Sequence, residues 1–184
     1  LVPPGAREWQ PGSTGLAGPS EPSEALPAPG AVPASPSPGG FPPPLVINEV
    51  HADPDSTDGD ANGDGTANTT ADEFIEIVNT GDTPFDLSGF SLNDLVSQRH
   101  VFTNTVLQPG CAVVIFGSGP IVGDFGGALT QDASSAALGL NNSGDTVSLE
   151  NGNLTIAEVT YGVEGGNNQS LTRDPDLTGG FTQN

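Results

Sequence analysis

The chain has 184 residues, with 23 Asp and Glu against three Arg and no Lys, for a net charge of −20. That charge repels phosphate backbones and anionic membrane surfaces, which argues against a nucleic-acid partner. No stretch approaches the ~20 apolar residues of a membrane span. Cys111 is the only cysteine, so no internal disulfide can form, and its apolar neighbours in CAVVIF predict a buried, unreactive thiol. The chain opens at Leu1, contains no Met and begins without a charged segment followed by an apolar one. It therefore reads as a processed chain or a piece of a longer one.

Residues 1–44 carry 13 of the 18 prolines, many Gly, Ser and Ala, and almost no apolar period. Such a segment buries too little surface to offset its ordering entropy, so it is expected to be a disordered, partly polyproline-II linker. From Leu45 to the end at residue 184 a folded domain is expected. Its texture is one of short apolar runs at 45–51, 73–79, 90–94, 100–103, 111–117, 136–140, 146–151 and 156–162, which read as strands. The intervening NTGDTP, LQPG, NNSGD and NGN each contain Gly, Pro or Asn with a turn mechanism. Eight short strands and no helical period predict an all-β, immunoglobulin-like β-sandwich. Its expected core is Val46, Ile75, Ile77, Leu87, Phe90, Leu92, Phe102, Val113, Ile115, Leu140, Val147, Leu149, Val159 and Tyr161.

Between the first two strands, residues 53–76 hold eight carboxylates and no basic residue. Within them Asp58, Asp60, Asn62 and Asp64 alternate, with Gly63 and Gly65 between and after. Alternating oxygens on a tightly turning glycine loop suit a hard cation that takes six to eight oxygen ligands, and oxygen-only donors favour Ca²⁺. With Asp58 in the first place of such a loop, Gly63 falls sixth and Thr69 twelfth, where a bidentate Glu belongs. Asp72, Glu73 or Glu76 can supply that carboxylate from the next strand. The competing reading is a solvated acidic turn. If the two flanking strands pair with His51 beside Asp72, Glu49 falls opposite Phe74, with Glu76 diagonal to it.

Nothing in the chain assembles a catalytic set. His51 and His100 lie far apart at strand ends, where a surface or edge role is expected. Ser143 and Ser170 lack a His–Asp partner, and the crowded acids sit in a polar loop rather than across an apolar cleft. Arg173 is expected to pair with Asp174, Asp176 or a sheet carboxylate.

Several of these segments resemble the lamin tail domain family. They are INEV at 47–50, DEFIEIVN at 72–79, DLSGFSLND at 86–94, LQPGCAVVIFG at 107–117, LNNSGDTVSLEN at 140–151 and QSLTRDPDLTGGF at 169–181. The resemblance implies an immunoglobulin-like sandwich, of the secreted or surface-anchored bacterial and archaeal type that carries the acidic insertion. Phe90 stands where the family often has Trp. No coiled-coil rod precedes the domain, so filament assembly of the lamin kind is not implied. Together these readings predict a monomeric, non-catalytic, calcium-stabilised module of an exported or cell-surface protein, which binds a protein or surface partner. The alternative is an accessory domain of a secreted nuclease or phosphatase whose catalytic domain lies elsewhere.

Overall fold

The structure, a computed structural model, describes residues 43–184, so the linker expected over 1–44 lies almost wholly outside the described residues. Among the described residues there are twelve strands and one 3-10 turn. In chain order the strands are β1 (Leu45–His51), β2 (Phe74–Asn79), β3 (Phe85–Asp86), β4 (Ser91–Asn93), β5 (Gln98–Val101) and β6 (Val106–Leu107). They are followed by β7 (Ala112–Phe116), β8 (Leu129–Asp132), β9 (Asp145–Asn151), β10 (Leu154–Tyr161), β11 (Leu171–Asp174) and β12 (Gly180–Gln183).

One sheet has the order β12-β11-β1-β2-β7-β8 and the other β10-β9-β4-β5, with β3 and β6 forming a small separate pair. All pairings are antiparallel except β7 with β8. Alternation along each strand sends one set of side chains into the core. Ile75, Ile77, Val113 and Ile115 come from the larger sheet and Leu92, Val147, Leu149 and Val159 from the smaller. All are buried, and Leu87, Phe90, Phe102, Leu140 and Tyr161 complete the cluster. An all-β immunoglobulin-like sandwich is therefore the fold.

Several details differ from the sequence reading, which expected eight strands and none at β3, β6, β8, β11 or β12. Val46 is only half-buried, and Ile47 and Val50 take its place in the core. A bulge between Ile47 and Glu49 inserts Asn48 and shifts the inward-facing set. Residues 136–140 are not a strand: Ala136 and Gly139 have φ of 61° and 64°, outside the extended region, and Leu138 and Leu140 reach the core from a loop. Cys111 is exposed at the turn entering β7. The histidines do lie at strand ends, His51 closing β1 and His100 one residue from the end of the edge strand β5, but they are buried, at 8% and 4% exposure, and not on the surface.

Candidate functional site

The loop between β1 and β2 is held by its own acidic and amide side chains. Asp55 Oδ1 accepts the N–H groups of Thr57 (2.7 Å) and Asp58 (3.1 Å). Asp60 Oδ2 accepts the N–H of Gly65 at 2.9 Å, and Asn62 Oδ1 that of Asp64 at 3.0 Å. Asp64 Oδ1 accepts the N–H of Thr66 at 2.8 Å. Short acidic and amide side chains capture nearby backbone donors in this way wherever a turn leaves those donors free. Deeper in, Asp72 is fully buried, and its two oxygens accept the N–H groups of Asn62 (2.9 Å) and Asn68 (2.7 Å).

The loop is pressed against the segment that follows β7. Asn62, also fully buried, donates its Nδ2 to the Ser118 carbonyl at 3.2 Å, and its own carbonyl accepts the N–H of Val122 at 2.8 Å. Gly63, at φ 73°, lies so close to the Val122 carbonyl that a Cβ would collide with it. A Cβ at Gly119 would lie 3.3 Å from Asn62 Nδ2 and 3.4 Å from Asp64 Oδ2. Only glycine at 119 leaves the Asp64 carboxylate that space.

These contacts sort the candidate ligands. Asp60, Asn62 and Asp64 share one turn, which Asp72 ties down from just before β2 by accepting the Asn62 N–H. Asp58 is exposed in the preceding turn. Glu73 points away, its Oε2 accepting the Gly139 N–H at 2.8 Å. Burial pushes its carboxyl up to about 7, against hydrogen bonds from the backbone at Gly139 and Leu140 and the attraction of Arg99, with Asp145 adding repulsion. Glu76 lies on the outer face of the larger sheet, its Oε1 accepting Asn48 Nδ2 at 2.8 Å. It stands directly opposite Glu49, not diagonal to it, because His51 pairs with Phe74 and not beside Asp72, a register two residues away from the expected one. Among the described residues, no three His, Cys, Asp or Glu side chains converge as a metal-binding group.

The donor set that remains is mixed. Asp60 Oδ1 is shut off from solvent without a hydrogen-bond partner, an arrangement that costs free energy for an ionised oxygen. Asp64 Oδ2 faces the space over Gly119. With Asp60 in the first place of the loop instead of Asp58, Asn62 falls third, Asp64 fifth, Gly65 sixth and the Thr66 carbonyl seventh, an order that suits a hard cation. The alternation in the sequence pointed to these residues. The two-residue change of register comes from the Gly65-to-Asp60 hydrogen bond, which spacing alone does not reveal.

Elsewhere the polar side chains hold the structure together. Arg99 forms an ion pair with Asp94, whose carboxyl is held low against the opposing effect of its burial. Arg173 is not paired with a carboxylate: its Nε donates to the Ile47 carbonyl and its guanidinium to the Gly179 carbonyl, each at 2.8 Å, and it stacks over Phe181. His100 bonds Gln131 and Ser134 through its two ring nitrogens, and burial holds its pKa down.

The lamin tail domain family matches residues 41–163, more than half of the chain. The chain belongs to that family. No curated protein matches it. The family is in general a non-catalytic, immunoglobulin-like interaction module, and no helix among the described residues is long and apolar enough to cross a membrane. In this lamin tail domain the matched residues end at the 3-10 turn (Val163–Gly166), and β11 and β12 beyond it extend the larger sheet from β1.

Proposed function

We propose that this lamin tail domain is a calcium-stabilised interaction module of an exported or cell-surface protein. The buried, unpartnered Oδ1 of Asp60 carries the reading, because a cation would satisfy it where no protein donor does. Asp60, Asn62 and Asp64 would supply side-chain oxygens, with backbone carbonyls and water completing the six to eight that Ca²⁺ takes. Asp72 would act behind them, fixing the loop through the N–H groups of Asn62 and Asn68. A loop with two carboxylates and neutral oxygens suits the weak sites used where calcium is millimolar, which supports an extracellular setting.

The test is thermal unfolding of the whole chain in EDTA and in Ca²⁺. With a dissociation constant near ~0.1 mM, ~10 mM Ca²⁺ adds about 2.7 kcal/mol, a rise in Tm of roughly 10 °C. Asp60→Ala and Asp64→Ala should each abolish most of the rise, while Asp176→Ala leaves it. Coincident melting curves in the two buffers overturn the site.

A further inference from the structure

The outer face of the larger sheet carries two adjacent rows. In one, Glu49 of β1 faces Glu76 of β2, which in turn faces Val114 of β7. In the next, His51, Phe74 and Phe116 align on the same three strands. Residues two apart on a strand share a face, and Ile75 and Ile115 between them point into the core, so both rows lie on the outer face, where Glu49, Glu76 and Phe74 are half-buried and His51, Val114 and Phe116 are buried. The rings run on continuously: Phe74 lies 5.8 Å from Phe116, and Phe116 lies 5.2 Å from Phe125, which folds down from the loop after β7. Between the rings and the two carboxylates is a cleft of about 180 Å³, the space of roughly six waters.

Among the described residues the acid pair has no cation of its own. Like charges directly opposite on a sheet oppose its formation. Glu76 has one recorded donor, Asn48, and burial raises its carboxyl, with Glu49 and Asp176 adding repulsion. The described arginines are committed elsewhere, Arg99 to Asp94 and Arg173 to backbone carbonyls, and the chain has no Lys. Long basic side chains lay their apolar stems along such surfaces and keep the charge at the polar end. A cation also gains from an aromatic face.

We propose that this cleft binds a lysine or arginine side chain of a basic partner protein. The stem lies along the half-buried Phe74 and Phe125, over a floor formed by the buried Phe116, and the cationic head sits between Glu49 and Glu76. The proposal deepens the reading of the domain as an interaction module by naming the chemistry of its partner; the cleft shares Ala61 with the loop between β1 and β2, but Asp60, Asn62 and Asp64 do not line it.

The experiment records amide NMR spectra of the whole chain in EDTA during titration with N-acetyl-lysine methylamide. N-acetyl-norleucine methylamide serves as the uncharged counterpart. Saturating shifts are expected with lysine, confined to residues 47–51, 74–76, 112–116 and 123–127. The Glu49→Gln/Glu76→Gln double variant should lower affinity about tenfold, and Phe125→Ala roughly threefold. The Glu150→Gln/Glu158→Gln pair, on the other sheet, should change it less than about twofold. Melting curves of each variant establish that it is folded. Equal binding of norleucine overturns the proposal, as does equal loss in the control pair. Abolition of lysine binding by about 1 mM Ca²⁺ also overturns it, since the cleft would then be a metal site. Coincident EDTA and Ca²⁺ melting curves, by contrast, bear only on the loop.

Discussion

The domain has two acidic regions built on opposite logic. In the loop between β1 and β2 the carboxylates of Asp55, Asp60, Asp64 and Asp72 each accept at least one backbone N–H. On the outer face of the larger sheet, Glu49 and Glu76 face each other with one side-chain amide between them. The cause lies in the backbone. A turn leaves N–H groups free, and a short acidic side chain can take them, whereas a strand spends its N–H groups on the ladder. An acid on a strand must therefore find a side-chain donor, stay in water, or meet a cation from outside. Equal formal charge thus means acids held by the backbone in the loop, Asp60 Oδ1 excepted, and acids without backbone donors on the sheet.

The largest effect expected from breaking this arrangement is at Asp72. Asp72→Ala leaves the N–H groups of Asn62 and Asn68 without acceptors in a closed site, one of them on a fully buried residue. It should cost about 4 kcal/mol in denaturant unfolding. Asp58→Ala, in the exposed turn a few residues earlier, should stay within ~0.5 kcal/mol. Equal losses at the two positions would mean that the backbone bonds do not order the loop.

Glu73 sharpens the comparison, because it is an acid that has left the loop for the interior. Burial raises its carboxyl to about 7, so the folded state holds its proton more tightly than the unfolded chain, where a glutamate has its ordinary value of 4.5. Its contribution to stability is full below the unfolded value and falls as pH rises from about 4.5 to about 7. It is lost above that, a decline of roughly 3 kcal/mol. Arg99 and Asp145 act on the group with opposite signs, and Tyr161, itself pushed up by burial, lies near enough to feel it. Glu73→Gln keeps an acceptor for the Gly139 N–H and should flatten that decline in melts between pH 5 and pH 8. An unchanged pH profile in the variant would place the titration on another group.

The smallest effect concerns the sheet pair. Replacing Glu49 and Glu76 by Gln removes a like-charge contact and should stabilise the free domain by about 0.5 kcal/mol, read from the unfolding midpoint. Destabilisation instead would show that the carboxylates are already satisfied.

Much of this could be read from the residues, and the rest failed for identifiable reasons. Ile75, Ile77, Val113, Ile115, Val147 and Leu149 are buried as their period of two requires. Val46 escaped because the bulge at Asn48 leaves no mark on an apolar run. LTQD, LTRD and GFTQ became β8, β11 and β12 without any alternation to announce them. They are mostly polar strands at or near the sheet edges, where little burial is available to write a pattern. In the loop, spacing identified Asp60, Asn62 and Asp64 as a group. It could not separate Asp72 from Glu73, which are neighbours in the chain and turn to different partners, one to the loop backbone and one to Gly139.

The position of β1 has a consequence for how the chain reaches this state. The first strand of the described region lies inside the larger sheet, and its outer neighbour is β11, with Glu49 set beside Thr172. During synthesis, β2 and β7 can pair with one another while one side of β1 stays open, because β11 follows ten other strands in the chain. The search that joins the two ends spans nearly the whole domain, the kind of distant pairing that slows folding. Until it succeeds, β1 offers a row of unpaired backbone groups to any neighbouring chain. The closing strands, beyond the residues the family match covers, thus guard the nascent domain against self-association.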